Sequence, residues 1–576
     1  MYSRTESLHR LTSERFDLCI IGGGASGAGC ALDATLRGLK VALIECDDFA
    51  AGTSSRSTKL VHGGVRYLEQ AFKNFDFGQL RQVRHGLEER HYVLANAPHL
   101  ARPLALLTPV FSWWEGFYFS IGLRLYDWFA SGKDQLPASR WLSSSEARRR
   151  MPGLSPHIHS AVLYYDGQLD DARYCLALAQ SAAEAGAVVL NHIEIVDFQK
   201  EESGRITSAT FRDRLAEPRS PEERSNLELQ TALASGEIKL PTSNSRVFLN
   251  CTGPAADQIR RRANPALLPR IRPSKGVHAV LPYSTLGSDD AMLIPKTKDG
   301  RMVFAIPFQG RLMLGTTDED YLTPDEEPVL ESKEVDFLLE TLNPFLAQAV
   351  DKDGITAGFG GLRPLVQPNL QHETRHSSRV APKSLLRDHE IEHDPVSGLF
   401  SLLGGKWTTY RLMAQDAVDA VCQQLEIQAT CRTADYRLVG AAGFTEDFWK
   451  KILAEYALEP EVAQHLARQY GMQAVKVADL MREKAVWGQA LATGFPFVQA
   501  EVVYAVRREM ACTLRDFMAR RIRLEILDWQ VARSATPVVA AIMAEELGWT
   551  PERARQEEQD YLRLVQRFMQ AASGSQ

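Results

Sequence analysis

The sequence predicts an α/β fold in three parts: a parallel sheet flanked by helices, an antiparallel sheet, and an all-α tail. Three patterns predict it. The first 50 residues read strand, glycine-rich turn, helix, strand; residues 276–318 alternate apolar and polar side chains; and strand signals vanish from residue 445 onward. A chain of 576 residues, at roughly 100–200 residues per domain, has room for about three such units.

Taken in order, FDLCII (16–21) is a short apolar run ending at glycines, as a buried parallel strand would be. Residues 25–38 read as a helix with small residues on its packing face, and KVALIE (40–45) as a second strand. Residues 79–96 form a polar amphipathic helix, 103–130 are rich in aromatics, and 171–186 form an Ala-rich helix. VVLNHIEIVDF (188–198) and ITSATF (206–211) alternate as strands. Residues 212–245 are polar and read as an exposed insertion, after which RVFLNCTG (246–253) returns as a buried strand. Beyond 445, KILAEYALEPEVAQHLARQYG and AEVVYAVRREMACTLRDFMARR carry a helical period.

A net charge of −6 argues against nucleic acid as a partner, so an anionic substrate needs a local cluster of basic groups. The eight cysteines, Cys19, Cys30, Cys46, Cys175, Cys251, Cys422, Cys431 and Cys512, form no C-x-x-C pair and no metal-ligand spacing. They read as thiols of a reducing compartment, with no metal expected. The first 15 residues contain no apolar h-region, so a secretory signal is not expected, and Glu6 and Glu14 argue against a transit peptide. No uncharged apolar window of about 20 residues predicts a transmembrane helix.

The opening turn, GGGASGAG, places Gly22, Gly24 and Gly27 in G-x-G-x-x-G positions between a strand and a helix. The chemistry needs glycine for a tight turn, for close backbone approach to a pyrophosphate, and for close helix–strand packing. The helix N-terminus then offers free N–H groups to phosphate oxygens. Glu45 ends the second strand where a ribose-binding acid belongs, and its charge disfavours a 2′-phosphate. The motif alone leaves NAD and FAD both open.

IGGGASGAGCALDATLRG (21–38), GTSSRSTKLVHGGVRYLE (52–69) and GGKWTTYRLMA (404–414) together resemble the FAD-dependent glycerol-3-phosphate dehydrogenases. NCTGP (250–254), KGVHAVLP (275–282), LGTTDEDY (314–321) and GLRPL (361–365) fall in that family's order, and REMACTLRDFMARRIRL (508–524) is similar to its C-terminal helical domain. Ala255 follows Pro254 where such families often carry Trp. The resemblance implies a glutathione-reductase-like FAD-binding domain (15–80, 166–271 and 355–425), an antiparallel-sheet substrate domain (81–165 and 272–354), and a C-terminal all-α domain (430–572). It implies non-covalent FAD, oxidation of glycerol 3-phosphate, a quinone as acceptor, and a peripheral position on the cytoplasmic face of the inner or cell membrane. Segment 103–130 reads as a membrane-docking helix, apolar face towards lipid, or alternatively as an aromatic core helix of the substrate domain. A homodimer is left open.

For FAD, the resemblance implies contacts from Gly22, Gly24, Gly27, Glu45, Thr53, Ser54, Ser55, Lys59, Leu60, His62, Thr252, Gly253, Gly404, Gly405, Lys406, Thr408 and Thr409. The loop of Ser54, Ser55, Lys59, Leu60 and His62 is expected to approach the isoalloxazine. Guanidinium groups suit a phosphate, which points to Arg66, Arg363 and Arg387, with Tyr67, Arg272 and Lys275 as further substrate contacts. Catalysis is expected from His62, Arg66, Arg363, Lys406 and His278, the base being either His62 or His278 and Lys406 an alkoxide-stabilising alternative. Two other readings compete. One is an FAD-dependent oxidase passing electrons to O2, on glycerophosphate or a D-amino-acid-oxidase-like substrate. The other is a flavin-binding protein without turnover, which would need no alcohol-side Arg and His.

Overall fold

A computed structural model describes residues 3–63, 77–130, 136–216, 240–243, 245–295, 297, 301–321, 326–368 and 389–574. Arg66, Tyr67 and Arg387, and most of the 212–245 insertion, lie outside the described residues.

Among the described residues, one sheet is six-stranded, ordered His389–His393, Phe400–Gly404, Ser245–Asn250, Phe16–Ile21, Val41–Ile44 and Val188–Leu190. Its inner strands pair in parallel, with Leu18 opposite both Val41 and Val247, and only the His389–His393 edge runs antiparallel. The four residues of Val41–Ile44 are all buried, as expected for a strand covered on both faces. The helix Ala25–Leu36 can lie close to this sheet because it is built largely of Ala and Gly. On its other side a Cβ on Gly29 would stand 3.0 Å from the ring of Tyr410, which begins the helix Tyr410–Leu425.

The second sheet contains Ala101–Val110, Ser160–Leu169, Ile271–Pro282, Ala291–Ile294, Val303–Phe308, Arg311–Gly315 and Ala357–Val366. The long antiparallel pairing of Ile271–Pro282 with Ala357–Val366 sets Ser274 opposite Arg363 and His278 opposite Phe359. The helices from Phe448 onward bury Ile452, Leu466, Val502 and Phe568 in the same apolar core as Leu106, Val280 and Leu314 of this sheet.

Two expectations are corrected. Residues 188–198 do not form one strand: Val188–Leu190 and Ile193–Lys200 belong to different sheets, and His192 between them turns the chain at φ +55°. Segment 103–130 is not one aromatic helix either. Its first part is the strand Ala101–Val110, paired with Ser160–Leu169, and Leu104, Leu106 and Leu107 are core residues. Only Trp113–Ala130 is helical, and Glu115 accepts hydrogen bonds from the backbone N–H of Phe111 and Ser112 at its start. Among the described residues, no helix is long and apolar enough to cross a membrane.

Candidate active site

A single cavity of about 1110 Å³ runs from Glu45 and Asp47 to Leu106, Tyr164 and Asp166, so it joins the two sheets. It exceeds the roughly 300–1,000 Å³ of an ordinary ligand pocket and suits a dinucleotide with a substrate beside it.

One end is built by the glycine-rich turn. Gly22 has φ +108°, and a Cβ there would lie 2.7 Å from the Cys251 carbonyl oxygen. A Cβ on Gly27 would lie 1.9 Å from the Gly22 carbonyl oxygen, an impossible contact between two backbones. Close helix–strand packing is thus the reason for Gly27, which does not itself line the cavity. Ala25 begins the helix, and its N–H donates to Ser54 Oγ at 2.9 Å. Ser54 therefore sits at the helix N-terminus, and it lines the cavity. The Ser54 carbonyl accepts from Trp407 Nε1 at 3.0 Å, which ties the opening motif to the late GGKWTT segment. Glu45 accepts from the N–H of Gly23 at 2.6 Å and of Asp47 at 2.9 Å. Burial pushes its carboxyl up, and these two bonds pull it back. These groups fit FAD: a helix N-terminus, a glycine cradle that no side chain could enter, and an acid at the ribose position.

The other end takes its residues from the second sheet, which is antiparallel except where Ala291–Ile294 runs parallel to Ala101–Val110. Side chains alternate faces along a strand, so Ser274, Gly276 and His278 share one face of Ile271–Pro282 while Lys275 points away. Gly276 and His278 line the cavity. Arg363, directly across from Ser274, also lines it, donating to Thr316 Oγ1 at 3.1 Å, the Thr317 carbonyl at 3.0 Å and Asp318 at 3.2 Å. His278 Nε2 lies 3.1 Å from Thr58 Oγ1, its ring stacks on Phe359 at 4.8 Å, and its Nδ1 is buried without a partner.

His62 lines the same space, where burial pushes its imidazole down to about 4 and the nearby Lys406 and Arg90 charges push the same way. His278 is driven well below its ordinary value by burial, then by Lys59 and Arg363. Both rings are therefore neutral at pH 7 and able to accept a proton. Lys406 precedes the short Trp407–Thr409 turn that leads into the helix Tyr410–Leu425, and Gly404 and Gly405 have φ +73° and +86° to make that turn. Thr53, Leu60, Thr252, Gly253, Thr408 and Thr409 also line the cavity.

Four expected contacts lie elsewhere. Lys59 is fully buried behind the wall, with Nζ 2.8 Å from Asp171 and from the Ser55 carbonyl, and Ser55 serves there through its backbone. Lys275 pairs with Glu331 at 3.0 Å and Glu334 at 2.9 Å on the opposite face of its strand. Arg272 pairs with Asp320 at 2.5 Å near the sheet edge. These are structural ion pairs: unlike Arg363, which also pairs with Asp318, none of the three basic residues lines the cavity. Conversely, Arg301, Thr316 and Arg515 line the cavity without having been singled out in the sequence.

The model of the FAD dependent oxidoreductase family matches residues 17–410, and that of the C-terminal domain of alpha-glycerophosphate oxidase matches residues 431–554. A mitochondrial glycerol-3-phosphate dehydrogenase of Arabidopsis thaliana is 38% identical, over 96% of this chain and 87% of the relative. The chain belongs to the FAD-dependent glycerol-3-phosphate dehydrogenase family. The mitochondrial glycerol-3-phosphate dehydrogenase of Mus musculus is 37% identical over 94% of this chain and 72% of its own length. Among solved structures, the glycerol-3-phosphate dehydrogenase of Bacillus halodurans complexed with FAD superposes with a TM-score of 0.75 at 27% identity, covering 99% of this chain and 97% of that one. The family's cofactor and the glycine cradle agree.

Proposed function

We propose that this protein oxidises sn-glycerol 3-phosphate to dihydroxyacetone phosphate with non-covalent FAD, and hands the electrons to a quinone at a membrane surface. The observation that supports the reading is one continuous cavity lined both by the pyrophosphate cradle and by Arg363, His278, His62 and Lys406. Bound FAD supplies the two-electron acceptor for the hydride leaving C2 of the alcohol. Arg363 offers a planar guanidinium to the substrate phosphate. His62 or His278 takes the hydroxyl proton, and Lys406 stabilises negative charge on that oxygen. A flavin-binding protein without turnover would have no use for these groups.

With a histidine base neutral down to about pH 4, kcat at saturating substrate is expected to show no acid limb near pH 6.5. Saturation matters, because the substrate phosphate itself titrates near pH 6. A limb centred near 6.5 would mean that the base is an unperturbed group. The same two histidines take up protons only on unfolding at mildly acid pH. Their contribution to stability should therefore be lost as pH falls through 6.5 towards 4.

The membrane part rests on the helix Trp113–Ala130. Trp114 is 72% exposed and Trp113 51%, and Phe117, Tyr118 and Ile121 lie alongside them. The opposite face of the same helix carries Leu123 and Tyr126, both buried, so the helix is anchored on one side and apolar to solvent on the other. Trp and Tyr on such a face suit the headgroup region of a bilayer, where a lipid-soluble acceptor arrives. Replacing Trp113, Trp114 and Phe117 with Ser should weaken liposome co-sedimentation by about tenfold or more. Reduction of a long-chain quinone should fall with it, while activity with a water-soluble dye stays. Loss of dye activity in a variant whose parent never binds liposomes would remove the membrane surface from the account. Peroxide formed in place of reduced quinone, one per dihydroxyacetone phosphate, would favour an oxidase.

A further inference from the structure

Loop 45–55 forms one wall of the cavity, through Glu45, Asp48, Thr53 and Ser54. On its outer side it is held by the helical tail. Asp48, fully buried, accepts from Arg520 Nε at 2.5 Å and from Arg521 at 2.7 and 3.0 Å. Arg523 donates to the Ser55 carbonyl at 2.7 Å and to Asp171 at 2.9 Å. The six-residue π-helical turn Asp516–Arg521 places Arg520 and Arg521 so that both guanidinium groups reach one carboxylate. Thr513 and Arg515, just before this turn, and Arg520 within it line the cavity wall.

We propose that segment 509–523 of the tail is part of the cofactor site, so that FAD binding and docking of the tail form one linked equilibrium. The reasoning is electrostatic. Asp48 and Asp171 belong to the FAD side, and Arg520, Arg521 and Arg523 to the tail. Pulling the two apart leaves Asp48 with the Asn191 amide alone and Asp171 with Lys59, and strips Arg520, Arg521 and Arg523 of these carboxylates, which is costly, so the joint is made or lost together. Loop 45–55 carries both the joint and the contacts to the dinucleotide, so it cannot keep its binding shape when the tail leaves. By reciprocity, FAD that binds only the made joint favours the docked tail by mass action. The small clustered group of His192, Cys512 and Asp516 belongs to this joint. Burial pushes Asp516 up, but His192, Arg520 and Arg521 outweigh it and hold the carboxyl well below its ordinary range.

The test is amide hydrogen exchange of the full chain, with FAD bound and after FAD is stripped. It rests on the assignment of the cavity to FAD, which flavin binding checks independently. FAD is expected to slow exchange about tenfold or more both in loop 45–55 and in segment 509–523, although the latter is more than 450 residues away in sequence. Protection confined to residues 45–55 and the glycine turn would overturn the proposal. If the stripped protein does not rebind FAD at all, the cofactor assignment itself fails. As a second measurement, Arg520→Gln should release FAD about tenfold faster than wild type. Arg507→Gln, which breaks a surface pair with Glu546, should release it at the wild-type rate. Equal release rates for all three proteins would also overturn the linkage, and should Arg520→Gln not fold, the exchange comparison on wild type decides alone.

Discussion

Gly27→Ala should purify colourless. The added methyl would stand 1.9 Å from the Gly22 carbonyl oxygen, and neither group is the end of a flexible side chain that could turn aside. The helix Ala25–Leu36 must then lift from the sheet, which moves its N-terminus away from the pyrophosphate position and removes the N–H groups that hold it. FAD content is expected to drop by about tenfold or more, with the far-UV signal of the tail helices retained. Gly22→Val should do the same through its φ of +108° and the Cys251 carbonyl at 2.7 Å. Gly38→Ala is the control: its φ is +91° but nothing lies within 4 Å of the new methyl, so it should cost about 1 kcal/mol of stability and keep its flavin. A fully yellow Gly27→Ala protein would remove the basis for the cofactor site.

Arg363→Ala should lower kcat/KM on glycerol 3-phosphate by about 10- to 150-fold, equivalent to about 1.5–3 kcal/mol for one charge-assisted contact to a largely desolvated phosphate. The loss on free glycerol should be much smaller, since no phosphate is there to be read. Asp318 complicates the variant, because it loses one of its partners when the guanidinium goes. It keeps the Ser274 hydroxyl as a donor, so the residual cost to folding is expected to be modest. Equal losses on both substrates would show that Arg363 holds the strand hairpin in shape and does not recognise phosphate.

Residues whose type answers to a backbone requirement were legible in the sequence. Gly22 and Gly27 are dictated by turn and packing, and the strand–turn–helix order around them left few other roles. His278 was named from the matched KGVHAVLP segment, and a period of two puts it on one face with Gly276, which was not singled out. The same period, applied to Lys275, would have turned it to the other face and excluded it from the substrate list. Lys59 and Arg272 were misplaced for a different reason. A basic residue in a matched segment looks identical whether it faces a ligand or a carboxylate, and Asp171 and Asp320, which claim them, lie 112 and 48 positions further on. The role of the tail at the dinucleotide loop had the same obstacle: nothing local to Arg520 or Arg521 announces Asp48. The aromatic run misled at its start, since a buried strand and an interfacial helix share a composition, and Ala101–Val110 was set apart only by its partner Ser160–Leu169.

The central claim is that the alcohol end and the flavin end of one cavity are joined by chemistry. Anaerobic stopped-flow mixing of the purified holoprotein with sn-glycerol 3-phosphate, with no other acceptor present, tests it most directly. The oxidised-flavin absorbance should bleach in a single turnover, with one dihydroxyacetone phosphate formed per flavin. The enantiomer and free glycerol should bleach it far more slowly. A flavin that stays oxidised with glycerol 3-phosphate, or that is reduced equally well by an amino acid, would contradict it.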